Sequence, residues 1–193
     1  MTHKKKFLYL IYGLLLGNSL IMKNNNDIKI IIEIECKYTT FLTEVYNKIS
    51  SLVDCDNKLT VIKTKLCKGD QLNKVMFLHT YSNNHYLELY NKWYKNKSNK
   101  NIPLDIMNYF NEISLAYWLM TNGKIKNRKL SVNMNKFKKK EIIIFKQQLE
   151  TKFQLDQIIL NNNWLEFNFN NIKKIYILTK PYILSSMKFK FIF

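Results

Sequence analysis

The residues of this chain that could do chemistry are chiefly cations. Of its 193 residues, 31 are Lys or Arg and 14 are Asp or Glu, which gives a formal net charge of +17. Such an excess indicates a polyanionic partner, meaning DNA, RNA or an anionic membrane. Arg128 is the only arginine, and lysine binds phosphate as a point charge whereas arginine forks onto guanine edges. The surface is therefore expected to bind the nucleic-acid backbone well and to read bases poorly.

The excess of lysine has a second explanation. The chain is rich in Lys, Asn, Ile, Phe and Tyr, whose codons are AT-rich, and this mix is typical of an AT-rich organelle or parasite genome. Genome bias and a phosphate-binding surface both account for the lysines, and the sequence leaves both explanations open.

Nucleophilic and metal-binding side chains form no recognisable motif. The candidates are three cysteines and three histidines: Cys36, Cys55, Cys67, His3, His79 and His85. The cysteines are odd in number, no two have CxxC spacing, and the histidines do not cluster with them. The spacing therefore predicts neither a disulfide framework nor a zinc site, and we expect reduced thiols in an intracellular or matrix compartment.

The amino terminus is open to two interpretations. A basic start followed by an apolar run over 7–17 imitates a signal peptide, and Gly17-Asn18-Ser19 offers small residues for cleavage. The run is short for a transmembrane helix. We interpret it as a buried helix and keep a membrane anchor or a secreted protein as the alternative.

The elements that must position these residues follow a pattern that occurs twice. Periodicity in the first part predicts helices over 7–16, 39–52 and 84–93 and strands over 28–35, 59–66 and 74–80. A stretch rich in Lys and Asn over 95–101 then separates two units, 1–100 and 101–193. The second part contains a helical turn from Pro103, helices over 113–120 and 138–153, a strand over 124–134, a hairpin over 155–169 around Asn161–Asn163, a strand or short helix over 173–178, and a closing segment over 181–187. The pattern indicates an internal duplication of architecture.

Five segments resemble the LAGLIDADG homing endonuclease and maturase family, in the family's order. IYGLLLGNSLI at 11–21 and ISLAYWLMTNGKI at 113–125 resemble its two motifs. ELYNKWYKNKSNKNIPLDI at 88–106 is similar to its linker, NKFKKKEIIIFKQQLETKFQL at 135–155 to its second-half helix, and TKPYILSSMKFKF at 179–191 to its closing motif. The resemblance implies an α+β fold. Two pseudo-symmetric αββαββα halves would carry curved antiparallel sheets that form a saddle for nucleic acid.

The resemblance also places the family's catalytic centre. That centre needs one carboxylate at the foot of each motif helix to hold divalent metal, and here those positions are Asn18 and Asn122. Thr121 stands where an acidic residue is usual, and Ile34 stands where a glutamine is frequent. Since magnesium requires hard, anionic oxygen ligands, we expect no catalytic residue, no metal and no other cofactor. Mg²⁺ would be needed only if the chain is an active endonuclease.

The resemblance assigns the remaining candidate positions. Gly13, Gly17 and Ala116 would lie in the seam between the two motif helices. The predicted nucleic-acid-binding residues are basic: Lys63, Lys65, Lys124, Lys126, Arg128, Lys129, Lys138, Lys139 and Lys140. Trp93, Tyr94 and Trp164 could stack on bases or fill the core.

We expect a catalytically inactive nucleic-acid-binding protein that prefers structured RNA to DNA. It would serve as an intron maturase or as a ribosome component with ribosomal proteins as partners. An active DNA endonuclease, a DNA-binding repressor and a membrane or secreted protein are the alternatives. The two motifs on one chain predict a monomer with internal pseudo-twofold symmetry. We also expect no membrane partner. We expect it in mitochondria or another AT-rich organelle, and encoded there.

Overall fold

The fold was analysed in a computed structural model. The structure describes residues 2–24, 27–35, 39–52, 60–66, 72–79, 85–95 and 99–191. Within these ranges, the side chains of residues 24, 27, 29, 32–35, 39, 60–66, 72–79 and 85 are not described. Across the described part of the chain, no helix has the length and apolar character needed to cross a membrane.

The first half has the element order αββαββα. Its members are α1 (His3–Leu16), β1 (Ser19–Asn24), β2 (Asp27–Glu35), α2 (Thr39–Ser50), β3 (Thr60–Leu66), β4 (Leu72–His79) and α3 (His85–Trp93). The four strands form one antiparallel sheet in the order β1-β2-β4-β3.

The second half repeats this order. Its members are α4 (Glu112–Asn122), β5 (Gly123–Lys126), β6 (Lys129–Asn133), α5 (Lys139–Phe153), β7 (Ile159–Asn161), β8 (Trp164–Phe167) and α6 (Phe169–Thr179). The strands again form one antiparallel sheet, in the corresponding order β5-β6-β8-β7. Short 3-10 segments lie at Ile106–Asn108, Lys180–Tyr182 and Ser185–Phe191. The predicted α+β fold with two αββαββα halves is confirmed, while the boundary at residue 100 stays a prediction.

The two motif helices, α1 and α4, form the centre of the molecule. Both have long runs of buried residues, over 10–16 in α1 and 114–120 in α4, because each is covered on all sides. The start of α4 is fixed by Asn111, whose side chain accepts hydrogen bonds from the backbone N–H groups of Ile113 and Ser114 at 3.0 and 3.3 Å. This capping satisfies backbone donors that the first turn leaves without partners.

Small residues allow α1 and α4 to meet backbone to backbone. A Cβ atom added to Gly13 would lie 2.2 Å from the backbone oxygen of Ser114, and one added to Gly17 would lie 2.2 Å from Oγ1 of Thr121. Ser114 Oγ also donates a hydrogen bond to the Tyr9 carbonyl oxygen at 2.7 Å. The structure thus brings both glycines against α4, and Ala116 is fully buried within α4.

Two predicted elements differ from the structure, and one strand was not predicted. Residues 124–134 form the hairpin β5–β6 rather than one strand, because Asn127 and Arg128 adopt φ of 51° and 57°, as the two central residues of a type I′ turn do. Residues 173–178 belong to helix α6, so the strand alternative is wrong. Asn168 caps that helix by accepting from the N–H of Asn171 at 2.8 Å. Strand β1 was missed because the last two of its six residues, Lys23 and Asn24, belong to a run of polar residues over 23–27 that is typical of a turn.

Candidate nucleic-acid interface

The second sheet exposes a basic face. Lys124 and Lys126 on β5 and Lys129 on β6 are exposed, and the register pairs Lys126 directly with Lys129. Because side chains alternate between the faces of a strand, Leu130 and Val132 lie on the opposite face and are buried in the core. Like charges placed opposite each other across two strands are destabilising. The face is therefore electrostatically suited to an anion.

The edge of this face carries the chain's only arginine. Arg128 is exposed at the β5–β6 turn, and its guanidinium carbon lies 5.6 Å from the centre of the Phe169 ring. Among the described residues of this face, one is acidic. It is Glu166, whose carboxylate accepts a hydrogen bond from Asn161 Nδ2 at 3.4 Å. The structure thus brings together four of the predicted basic residues: Lys124, Lys126, Arg128 and Lys129.

The three aromatic candidates have different environments. Trp93 is completely buried, with its ring centre 5.5 Å from that of Tyr12. The hypothesis that a base stacks on Trp93 is therefore wrong. The Tyr94 hydroxyl accepts a hydrogen bond from the N–H of Ile21 at 3.3 Å, which ties this side chain to β1. Trp164 is half-buried, and Lys124 Nζ lies 5.4 Å from the centre of its ring. Trp164 therefore remains the aromatic candidate for contact with a base.

A cleft of about 750 Å³ lies where the ends of α1 and α4 meet the second sheet. Its lining combines apolar side chains with amides and lysines, which are Asn18, Asn122, Asn133, Asn135, Lys124, Lys136 and Lys190. None of the lining residues in the described part of the chain is an aspartate or a glutamate. The polar part of the described lining therefore consists of ammonium groups, neutral amides and the Thr121 hydroxyl.

The two amides at the family's carboxylate positions have partners. Asn18 is exposed, and its Oδ1 accepts a hydrogen bond from Lys136 Nζ at 3.4 Å. Asn122 Nδ2 donates to the carbonyl oxygen of Asn133 at 3.0 Å, which joins the end of α4 to the end of β6. Thr121 Oγ1 lies 2.9 Å from the Trp118 carbonyl oxygen in the preceding turn.

Lysine ammonium groups also lie at the carboxyl ends of both motif helices. Lys100 Nζ donates to the carbonyl oxygens of Leu15 and Ser19, the second at 2.6 Å. Lys190 Nζ donates to the carbonyl oxygen of Met120 at 2.7 Å. The carboxyl end of a helix carries partial negative charge, which favours a cation there. Burial, and then repulsion from the Lys136 ammonium, lower the pKa of Lys100 well below its usual value.

The described residues that line this cleft do not fit a divalent metal ion. Magnesium and calcium take anionic oxygen ligands, whereas Asn18 and Asn122 are neutral, and the Asn18 oxygen already accepts from an ammonium group. The positive charge of the lysines that line the cleft, Lys124, Lys136 and Lys190, would also repel a metal cation. Elsewhere in the described ranges, no three His, Cys, Asp or Glu side chains come together as metal ligands.

The remaining predicted residues are on other elements. Lys138, Lys139 and Lys140 are exposed at the start of α5. Lys63 and Lys65 are on β3 and Ile34 is on β2, and their side chains lie outside the described part.

Sequence reasoning missed Lys100, Lys136 and Lys190. Each lies in a lysine-rich stretch, which gave no signal to single it out.

The duplicated fold, the glycine seam and the paired feet of α1 and α4 define a LAGLIDADG-type protein. The chain belongs to the LAGLIDADG DNA endonuclease family, whose sequence pattern matches residues 8–180. It is 28% identical to the cytochrome b mRNA maturase bI2 of Saccharomyces cerevisiae over 95% of this chain and 46% of that protein. It is 24% identical to the maturase bI2 of Debaryomyces hansenii over 96% of this chain and 73% of that protein. The chain thus spans less than half of the S. cerevisiae protein.

A solved structure shares the whole arrangement. The homing endonuclease I-WcaI bound to its DNA recognition sequence superposes with a TM-score of 0.83 at 26% identity, covering 100% of this chain and 88% of that one. A variant of I-DmoI in complex with its target DNA superposes with a TM-score of 0.54 at 15% identity, covering 91% of this chain and 93% of that one, and shows the fold alone.

Proposed function

We propose that this chain binds nucleic acid through the exposed face of its sheets and does not cleave it. The observation that carries the proposal is the continuity of the basic face with a cleft whose described lining lacks carboxylates. A family nuclease needs carboxylates in that cleft to hold its metal. A protein with amides and lysines there keeps the attraction for phosphate and loses the means to activate water.

We further propose structured RNA as the ligand and intron splicing as the role. The similarity to two proteins named cytochrome b mRNA maturase extends over 95% and 96% of this chain. A surface of lysines grips backbone phosphates by shape and charge, which suits a folded RNA. A ribosome component is the less favoured version of the same proposal. An organelle location and an organelle gene are part of it, supported by the composition and by similarity to intron-encoded endonucleases.

A second candidate is an active DNA endonuclease. The likeness to I-WcaI, at 26% identity over the whole chain, favours it. Incubation of the purified protein with supercoiled plasmid and Mg²⁺ or Mn²⁺ separates the two. We expect the plasmid to stay intact, and nicking that disappears with a chelator would overturn the proposal of a non-cleaving protein.

The binding surface is tested by salt dependence. Each phosphate contact contributes about 0.9 to the slope of log affinity against log salt for a duplex. Lys126→Glu and Lys129→Glu should each weaken binding of a mixed-sequence duplex and lower the slope by about one. Lys180→Glu, an exposed lysine beyond α6, is the matched control and should leave the slope unchanged. Equal effects of all three changes would refute the proposed face.

The ligand is tested in the native organelle. Crosslinking followed by sequencing of the bound nucleic acid should recover intron RNA. Recovery of ribosomal RNA would replace splicing by a ribosomal role, and recovery of one discrete DNA locus would overturn the preference for RNA.

A further inference from the structure

The cleft at the feet of α1 and α4 contains a cation of the protein itself beside the family's metal-ligand position. Lys136 is exposed, follows β6 in the chain, and reaches across 118 positions of sequence to Asn18 Oδ1 at 3.4 Å. We propose that this cleft holds a backbone phosphate of the bound nucleic acid directly, with the Lys136 ammonium and the Asn18 amide as its ligands and no metal ion between them. This inference rests on the proposed nucleic-acid binding.

The ligand chemistry favours an anion with several acceptor oxygens. A lysine ammonium has three donors and an asparagine side chain has an NH₂ group that donates. The contact between Lys136 and Asn18 uses one of the ammonium donors and the amide oxygen. What the pair then offers to a ligand is hydrogen-bond donors, which a phosphodiester accepts and a metal ion does not.

The surrounding charges point the same way. Lys124, Lys136 and Lys190 all line the cleft, and none of its described lining residues is acidic. Lys190 donates to the carbonyl oxygen of Met120, so its ammonium group is held at the end of α4. These ammonium groups attract an anion between the helix feet and repel a divalent cation.

The position of the cleft identifies the phosphate as part of a polymer. Lys124 and Trp164 line the cleft and also belong to the exposed face of the second sheet. A nucleic acid that lies on that face therefore passes over the cleft. A volume of about 750 Å³ accommodates a phosphate together with its sugar.

The test uses a fluorescent RNA duplex of mixed sequence and the whole protein, in EDTA. Affinity is measured between about 50 and 200 mM salt for the wild type, for Lys136→Gln and for Lys5→Gln. Lys5 is an exposed lysine at the start of α1, and the helical rise separates it from the end of that helix by about 16 Å. Loss of one phosphate contact should lower the slope of log affinity against log salt by about 0.9. The factor by which affinity falls across this salt range should therefore be roughly 3.5 times smaller for Lys136→Gln than for the wild type. Lys5→Gln should follow the wild type, and Lys136→Arg should restore the slope.

The outcomes separate this inference from the proposed function. Wild-type binding that is indifferent to salt would refute the proposed function itself. Salt-dependent wild-type binding with equal slopes for Lys136→Gln and Lys5→Gln would refute the phosphate site and leave the proposed function standing. Addition of Mg²⁺ at matched ionic strength should not raise the wild-type affinity, because Mg²⁺ only competes for the phosphates. A gain in affinity that Lys136→Gln does not alter would overturn the metal-free site. Inorganic phosphate at the same ionic strength should compete poorly, and strong competition that Lys136→Gln removes would assign the cleft to free phosphate instead.

Discussion

Asn122→Asp tests whether the amide at the foot of α4 is a structural donor. Asn122 Nδ2 donates to the Asn133 carbonyl oxygen at 3.0 Å. An ionised aspartate has no donor, so this change would place two acceptors against each other and leave the carbonyl without its partner. An unsatisfied group of this kind costs about 1–3 kcal/mol. For a chain of this size, each kcal/mol lowers Tm by about 2–4 °C, so we expect a decrease of roughly 2–12 °C.

Thermal unfolding followed by circular dichroism measures this decrease at neutral pH without metal. Asn18→Asp is the matched control, because Asn18 is exposed and its side chain contacts Lys136 rather than a backbone carbonyl. An aspartate there would form a surface ion pair, which contributes less than about 1 kcal/mol. A Tm for Asn122→Asp equal to that for Asn18→Asp would refute the structural role of the amide.

Calcium titration of the double variant extends the same reasoning to the metal. With Asn18→Asp and Asn122→Asp together, the new carboxylate at position 18 would pair with the Lys136 ammonium in place of a metal ion. We therefore expect weak calcium binding that increases when Lys136→Gln is added. Equal calcium affinity for the double and triple variants would show that Lys136 does not compete with the metal.

The helix seam and the buried tyrosines provide two further predictions. Gly13→Ala brings a Cβ atom against the Ser114 backbone and should destabilise the protein by about 1–3 kcal/mol; a Tm equal to that of the exposed change Gln147→Ala would contradict close packing. Burial raises the pKa of Tyr12 and Tyr117 above the ordinary value of 10.0. Their contribution to the free energy of unfolding is therefore complete below pH 10 and decreases above it, because the tyrosines then ionise in the unfolded chain and stay neutral in the folded one. In urea unfolding above pH 10, the double change Tyr12→Phe with Tyr117→Phe should reduce the fall of unfolding free energy with pH by up to about 1.4 kcal/mol per pH unit per residue. An unchanged dependence of unfolding free energy on pH would contradict this prediction.

The sequence by itself determined the architecture and the family. Two apolar helices with small residues, each followed by strands and a second helix, are local patterns, because periodicity reports which faces of an element are buried. The positions of Gly13 and Gly17, and of Asn18 and Asn122 after the two motifs, could be assigned from linear order. The net charge of +17 likewise needed no structure to indicate a polyanion.

Only the tertiary structure decided which charged residues meet. Lys136 and Asn18 are 118 positions apart, and Lys190 and Met120 are 70 apart, so their contacts depend on how α1, α4 and the second sheet pack. The same packing buried Trp93, which the sequence had left as a candidate for stacking. Local patterns cannot specify such contacts, because the position of one element against another is set by the fit of buried side chains contributed by the whole chain.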